Sequence, residues 1–179
     1  MANLGRTRQH PSSALGLARV TLRSLIALNW ALGALIFALL VASLLAEAWT
    51  WRALGVDGAA GHPRVVAGMR AIMAIGLVGT AVHYIVLSRL LRIVESVSVG
   101  EAFTTGNADR LRAIAYGLLG SELLHLGVVA IASAVSKEVP LRISGNFAVS
   151  GWLAVLLLFV LAQVFREGTL MREDLEGTV

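Results

Sequence analysis

The chain has 179 residues, of which 57% are hydrophobic and 15% are charged, and its mean hydropathy is +0.78. Soluble domains contain about 45–50% apolar and about 25% charged residues, so this composition excludes an ordinary soluble domain and indicates an integral membrane protein. The sequence has no cysteine, which excludes disulfides, thiolate metal sites and cysteine nucleophiles.

Four apolar stretches are long enough to cross a bilayer, which requires about 20 mainly apolar residues in a helix. They lie at about 24–46, 68–92, 112–135 and 148–166. Leu and Ala dominate them without period-two alternation, which excludes strands. We therefore expect an all-α polytopic membrane protein, a four-transmembrane-helix bundle in which residues 1–179 form a single membrane domain.

The first stretch has one alternative interpretation, a cleaved signal peptide. Ala46-Glu47-Ala48 has the small-x-small pattern of a cleavage site. A span is favoured, because a long arm precedes the apolar core and the core exceeds that of a signal peptide. Residues 12–23, just before this span, are expected to be helical and to lie on the membrane surface.

The basic residues indicate how the chain is oriented in the membrane. Ten arginines lie in the N-terminal arm, in the link between the second and third spans and in the C-terminal tail, whereas five basic residues lie in the other two loops. Because basic residues concentrate on the cytoplasmic side, both termini are expected to be cytoplasmic. Trp49, Trp51 and Trp152 are expected at the outer interface. The net charge of +4 does not point to direct nucleic-acid binding, because no basic face runs along a helix.

Polar side chains inside a bilayer are costly and mark structural or functional positions. Five form the candidate intramembrane polar cluster: Asn29, His83, Glu122, His125 and Gln163. Glu122 is the only acid within a span, and His125 follows three residues later on the same helical face. A protonated Glu122 hydrogen-bonded to His125 or Asn29 could join helices, which is the favoured interpretation, and a proton or ion relay is the alternative.

A metal site is the less favoured interpretation of the Glu-x-x-His pair. Such a pair is half of a diiron or dimanganese site in helical bundles, but the chain has no second pair, so neither a metal nor a cofactor is predicted. Small residues mark two helical faces that could pack closely. These faces, which we expect to meet, comprise Gly76, Gly79, Thr80 and His83 in the second span and Ala113, Gly117, Ser121 and His125 in the third.

The polar segment 95–112 links the second and third spans. We expect the helix before it to end before Gly100 and the next helix to be capped by Thr104 or Thr105. Its structural role would be a solvated turn in which Asn107 makes local hydrogen bonds, and its functional role would be docking of a cytoplasmic partner.

Two segments resemble a known family. Residues 94–111 (VESVSVGEAFTTGNADRL) resemble a signature in which Gly100, Phe103, Asn107 and Arg110-Leu111 match, whereas Ala102 departs from a proline. Residues 163–179 resemble the same family's Phe-basic-Glu-Gly element and its finish. The family is domain-of-unknown-function 2975, also called YoaS-like.

The resemblance implies a small four-helix protein of the bacterial plasma (inner) membrane. Members are often encoded beside a small helix-turn-helix regulator, which implies such a transcription regulator as the cytoplasmic partner. The family supplies no catalytic residues. The expected partner-binding residues, in the link and the tail, are Gly100, Phe103, Asn107, Arg110, Arg112, Phe165, Arg166 and Glu167.

The leading functional hypothesis is a regulatory or sensory membrane protein that binds a cytoplasmic partner. The alternative is a small transporter or channel, formed by a homo-oligomer, that uses the intramembrane Glu and His groups. An enzyme is not expected, because the chain has no nucleophile elbow, zinc-protease motif, phosphate loop or cofactor fingerprint.

Overall fold

The computed structural model describes residues 11–55, 62–136 and 149–176. Within these ranges the chain is all-α and contains no strand. The helices are α1 (Pro11–Leu45), α2 (Glu47–Ala53), α3 (Pro63–Ser98), α4 (Thr105–Val135) and α5 (Val149–Glu176). Four of them, α1, α3, α4 and α5, are long and apolar enough to cross a membrane. The predicted all-α fold is thus confirmed, and these four helices have the length and composition of the four predicted spans. The cytoplasmic position of both termini stays a prediction. Position 148, the expected start of the fourth span, and residues 177–179 of the matching tail lie outside the described residues.

α1 continues without interruption through residues 12–23 into the apolar span. Their helical conformation is as predicted, but their position along the membrane surface is not what the structure shows. The reason lies in α3, which extends past its own apolar stretch and offers polar partners. Arg19 Nη2 donates to Ser98 Oγ (3.1 Å), and Arg23 lies 3.6 Å from the Glu95 carboxylate. These contacts keep the start of α1 beside the end of α3.

The end of the molecule that holds α2 contains a small apolar core. The chain bends at Ala46, and α2 then places Trp51, which is 0% exposed, against Val65, Val66 and Val135. Trp51 is therefore a core residue, whereas Trp49 is exposed. The depth expected for both rings, at the outer interface, stays a prediction.

Arg70 ties three helices together at the same end. Its guanidinium donates to the Ser43 carbonyl at the end of α1 and to Glu47 Oε2 in α2 (2.8 Å). A charge-assisted pair of this kind satisfies an arginine that lies near the end of an apolar span. It also links α2 to α3.

The long helices lie side by side in chain order. α1 packs on α3, α3 on α4 and α4 on α5, and each pair is antiparallel. In the described ranges, no close backbone approach joins α1 to α4, α1 to α5 or α3 to α5. The long helices therefore form an open layer, and their predicted arrangement as a four-helix bundle is not confirmed. Large apolar side chains such as Leu28, Phe37 and Leu156 stay exposed along the layer.

Candidate functional site

The link between α3 and α4 lies at one end of the layer, which we call the arginine-rich end. Arginines on all four long helices mark this end: Arg19, Arg23, Arg89, Arg92, Arg110, Arg112 and Arg166. Here α1 begins and α5 ends, because Arg19 contacts Ser98 at the end of α3 and Phe103 contacts Phe165. The two segments that carry the family resemblance therefore lie at the same end.

Gly100 sets the conformation in which α3 ends. Its φ is +88°, in the left-handed region that favours glycine. Its N–H donates to the Val97 carbonyl (3.1 Å), and the Glu101 N–H donates to the Ser96 carbonyl (3.0 Å). These two bonds form a Schellman motif, which satisfies carbonyls that the helix end would otherwise leave free. The expected end of the helix before Gly100 is confirmed.

Asn107 organises the rest of the link. It is 0% exposed, and its Nδ2 lies within hydrogen-bond distance of the Glu101 carbonyl (3.0 Å), the Ala102 carbonyl (2.9 Å) and Ser96 Oγ (2.7 Å). Its Oδ1 accepts from the Arg110 guanidinium (2.7 Å). One side chain thus connects the end of α3, the link and the first turn of α4.

Thr104 caps α4, as the sequence predicted. Its Oγ1 accepts from the backbone N–H of Asn107 at 3.3 Å. Together with the Schellman motif and the Asn107 side chain, this cap defines the six-residue link at both ends and in its middle. The link is therefore an exposed turn held by local hydrogen bonds of Thr104 and Asn107, as the sequence predicted.

Phe103 joins the link to α5. Its ring stacks on that of Phe165, with centroids 5.0 Å apart and an interplanar angle of 26°. One turn further, Thr169 is buried and donates to the Phe165 carbonyl (2.8 Å). Phe103 itself remains 53% exposed. The contact brings together two segments that lie about sixty residues apart, and no periodicity in the sequence predicted it.

A cavity of about 280 Å³ lies between α4 and α5 at the arginine-rich end. Its lining is Ala108, Asp109, Arg112, Tyr116, Phe159, Ala162, Gln163 and Arg166. The Arg112 guanidinium lies over the Tyr116 ring, 5.9 Å from its centroid, and Tyr116 meets Phe159 edge-on. The cavity therefore has charged groups near the helix ends and aromatic rings on the side towards the apolar spans.

A polar groove crosses the middle of the layer. It has a volume of about 510 Å³, its floor includes Gly76 and Gly79 of α3, and α1 and α4 form its walls. Four of the five residues of the predicted intramembrane cluster line it: Asn29, His83, Glu122 and His125. Gln163 does not, because it lies at the arginine-rich end, where its Nε2 donates to Glu167 Oε1 (2.8 Å).

The two faces of small residues meet only in part. His83 Nδ1 lies 2.7 Å from the Gly79 carbonyl, and since a carbonyl can only accept, this nitrogen carries the proton. In the neutral ring Nε2 then accepts from Ser121 Oγ of α4 (3.4 Å). Two other residues of the α3 face turn to α1 instead: Asn29 Nδ2 donates to the Thr80 carbonyl (3.0 Å), and Gly76 faces Ile36.

Glu122 is directed towards α5. Glu122 Oε1 lies in the space that a Cβ on Gly151 would occupy, so the carboxyl group rests against the α5 backbone. Among the described residues, Glu122 forms no hydrogen bond with His125 or Asn29, its expected partners. Asn29 donates to the Thr80 carbonyl instead. In the described part of the chain no group of three His, Asp or Glu side chains is placed to hold a metal ion.

A comparison with protein families matches residues 54–179 to the family described as "Protein of unknown function (DUF2975)". The match spans well over half of the chain and includes α3, the link, α4 and α5. The curated proteins and the solved structures gave no match. In agreement with its two sequence motifs, the chain belongs to the DUF2975 family.

Proposed function

We propose that this protein is a regulatory or sensory protein of the bacterial inner membrane that binds a soluble partner at its arginine-rich end. The contact that carries the proposal is the Phe103–Phe165 stack, which makes one surface from the two segments that resemble the family signature. Orientation follows from charge: seven arginines gather at this end, so it would face the cytoplasm together with both termini.

Exposed apolar side chains support a docking role for this surface. Val99, Phe103, Leu170 and Met171 are each at least half exposed. Val99 and Phe103 lie in the link, and Leu170 and Met171 follow Arg166 along α5. On the cytoplasmic side of the arginines the bilayer core would not cover these apolar groups, so a bound protein would remove them from water. Arg166 and Glu167 would form a charged rim around these apolar contacts.

The partner that fits best is a small helix-turn-helix transcription regulator. This choice rests on the genomic pairing that the family resemblance implies, and the mixed charge of the α5 end suits a basic protein surface. The proposal is for a binding protein, not an enzyme, and requires no metal or cofactor. Asn107, Gly100 and Arg110 would hold the surface in shape, and Phe103 and the α5 side chains would touch the partner.

Affinity capture from native membranes in mild detergent, followed by mass spectrometry, tests this proposal. The test variant is Leu170→Glu with Met171→Glu. The matched control is Leu17→Glu with Val20→Glu, which makes the same change at exposed positions of α1. We expect a DNA-binding protein with the wild type and the control, and its loss with the α5 variant. Absence of any specific soluble partner from the wild type would refute the proposal.

A second candidate function, an oligomeric transporter or channel, is favoured by the polar groove. Glu122, His125 and His83 line it at the middle of the spans, where ionisable groups form proton or cation pathways in other membrane proteins. The open layer leaves this groove uncovered in one chain, so a second copy would be needed to enclose a path.

Flux into proteoliposomes tests this second candidate. A conducting oligomer predicts that the wild-type protein dissipates an imposed proton or cation gradient and that Glu122→Gln reduces the flux by about tenfold or more, because an ionisable group is removed from the path. Gln163→Glu, which alters a polar residue outside the groove, should leave the flux unchanged. Wild-type vesicles that hold their gradient as long as protein-free vesicles would eliminate this candidate.

A further inference from the structure

The cavity between α4 and α5 contains positive charge that no other part of the described structure neutralises. Arg112 and Arg166 line it from facing helices, and neither makes an ion pair with a described residue. Three other arginines at the same end have partners: Arg23 pairs with Glu95, Arg19 donates to Ser98 and Arg110 donates to Asn107. Arg89 and Arg92 form no ion pair with a described residue either, but they lie on α3 and do not line this cavity. Asp109, the one acidic side chain of the lining, forms an ion pair with neither arginine, so the cavity keeps a net positive charge that suits an anion.

We propose that this cavity binds the phosphate group of a phospholipid headgroup. Guanidinium groups donate in a planar fork that matches phosphate oxygens, and two of them can share the charge of one phosphodiester. The cation–π contact with Tyr116 holds the Arg112 guanidinium in the cavity without using its outer N–H donors. The lipid would bind with or without a soluble partner, although Arg166 also belongs to the charged rim described above.

The position of the cavity fits a lipid. Arg112 lies one helical turn, about 6 Å, beyond Tyr116, so the cavity spans the step from aromatic side chains to charged ones. Tyrosine and arginine take these relative depths at a membrane interface, where the phosphates also lie. Phe159 and Tyr116, on the side of the cavity nearer the apolar spans, would contact the glycerol and the first acyl carbons. Basic sites between spanning helices bind anionic headgroups in other membrane proteins.

Asp109 narrows the choice of headgroup. It also lines the cavity and makes no ion pair with a described residue, so the net charge of the lining side chains is one positive unit. A carboxylate beside the phosphate site would repel a bare dianion but would accept from a headgroup amine or hydroxyl. Phosphatidylethanolamine offers both features, a phosphodiester for the arginines and an ammonium group for Asp109. The quaternary ammonium of phosphatidylcholine has no N–H to donate.

Native mass spectrometry of the full-length protein, released from detergent, tests the site. We expect the wild type to retain one phospholipid and to retain phosphatidylethanolamine at least about tenfold better than phosphatidylcholine when both are added. The double variant Arg112→Gln/Arg166→Gln should lose the bound lipid. The matched control Arg89→Gln/Arg92→Gln removes the same charge on α3, outside the cavity, and should keep it. Helical content from circular dichroism verifies that both variants fold.

Two further arms decide the source of the phosphate and the role of Asp109. If soluble glycerophosphoethanolamine binds and no phospholipid does, the phosphate site stands, but its ligand is a soluble compound. Asp109→Asn should reduce the preference for ethanolamine over choline, and this arm stands even if the arginine variant fails to fold. The inference is overturned if the wild type binds neither a phospholipid nor glycerophosphoethanolamine. It is also overturned if the α3 control loses the bound lipid as the cavity variant does.

Discussion

At the scale of single residues, Asn107 makes more of the hydrogen bonds that shape the candidate surface than any exposed side chain there. Its amide contacts two carbonyls of the link, a serine of α3 and an arginine of α4. A buried amide with this many partners acts as a fixed junction, because each partner would lose its hydrogen bond if the amide were removed. This explains why an asparagine matters at a position where solvent is absent.

Asn107→Ala should destabilise the protein by about 1–3 kcal/mol, because the carbonyls of Glu101 and Ala102 lose their donor. The change is measured by thermal unfolding of the full-length protein in detergent, with size-exclusion chromatography as the readout. Thr105→Ala is the control, since Thr105 is exposed on the same turn and should shift stability by less than about 0.5 kcal/mol. Equal stability of the two variants would contradict the role given to Asn107.

At the scale of the helices, the existence of the spans could be predicted, but their partners could not. Hydropathy identified four candidate spans because a helix of about 20 apolar residues is stable in lipid whichever helices it packs against. Local signals also worked: Gly100 and Thr104 set the end of α3 and the start of α4. Which helix a small residue faces depends on the whole layer, and for this reason Gly76 was assigned to α4 although it lies against α1.

The candidate site shows the same limit. The residues of the link and tail could be selected from the family signature, but their contact depends on how α4 and α5 pack. The Phe103–Phe165 stack and the cavity beside Arg112 arise from that packing. Likewise Glu122 was expected to form a hydrogen bond with His125 or Asn29, whereas the structure directs it to Gly151 of α5.

The packing of α3 on α4 is tested by one substitution made at two glycines of α4. A Cβ at Gly117 would lie 2.5 Å from Val86 Cγ2, whereas a Cβ at Gly120 would meet nothing within 4 Å. Because valine in a helix has one preferred rotamer, Gly117→Ala should push the helices apart and cost about 1–3 kcal/mol.

Gly120→Ala should instead be neutral or stabilise by up to about 1 kcal/mol, since alanine is the better helix former. The measurement is the midpoint of thermal unfolding of each purified variant in the same detergent. A larger loss of stability at Gly120 than at Gly117 would mean that α3 and α4 do not pack as described.

At the scale of the whole molecule, the open layer separates two kinds of surface. The arginine-rich end has a fixed polar link, an aromatic stack and a charged cavity, all held by contacts within one chain. The groove at the middle of the layer has ionisable side chains but no cover, so any function there needs a second copy. Only the surface at the arginine-rich end is formed entirely by the described residues of one chain, and for this reason we propose the principal function there.

The cytoplasmic position of the arginine-rich end is the claim on which partner binding depends, and labelling tests it most directly. The chain has no native cysteine, so single cysteines can be placed at Glu101 in the link and at His62 before α3, both exposed. A maleimide that cannot cross the inner membrane should label His62→Cys in intact cells and Glu101→Cys only after permeabilisation. Labelling of Glu101→Cys in intact cells, with His62→Cys protected, would invert the topology and rule out a cytoplasmic partner at this end.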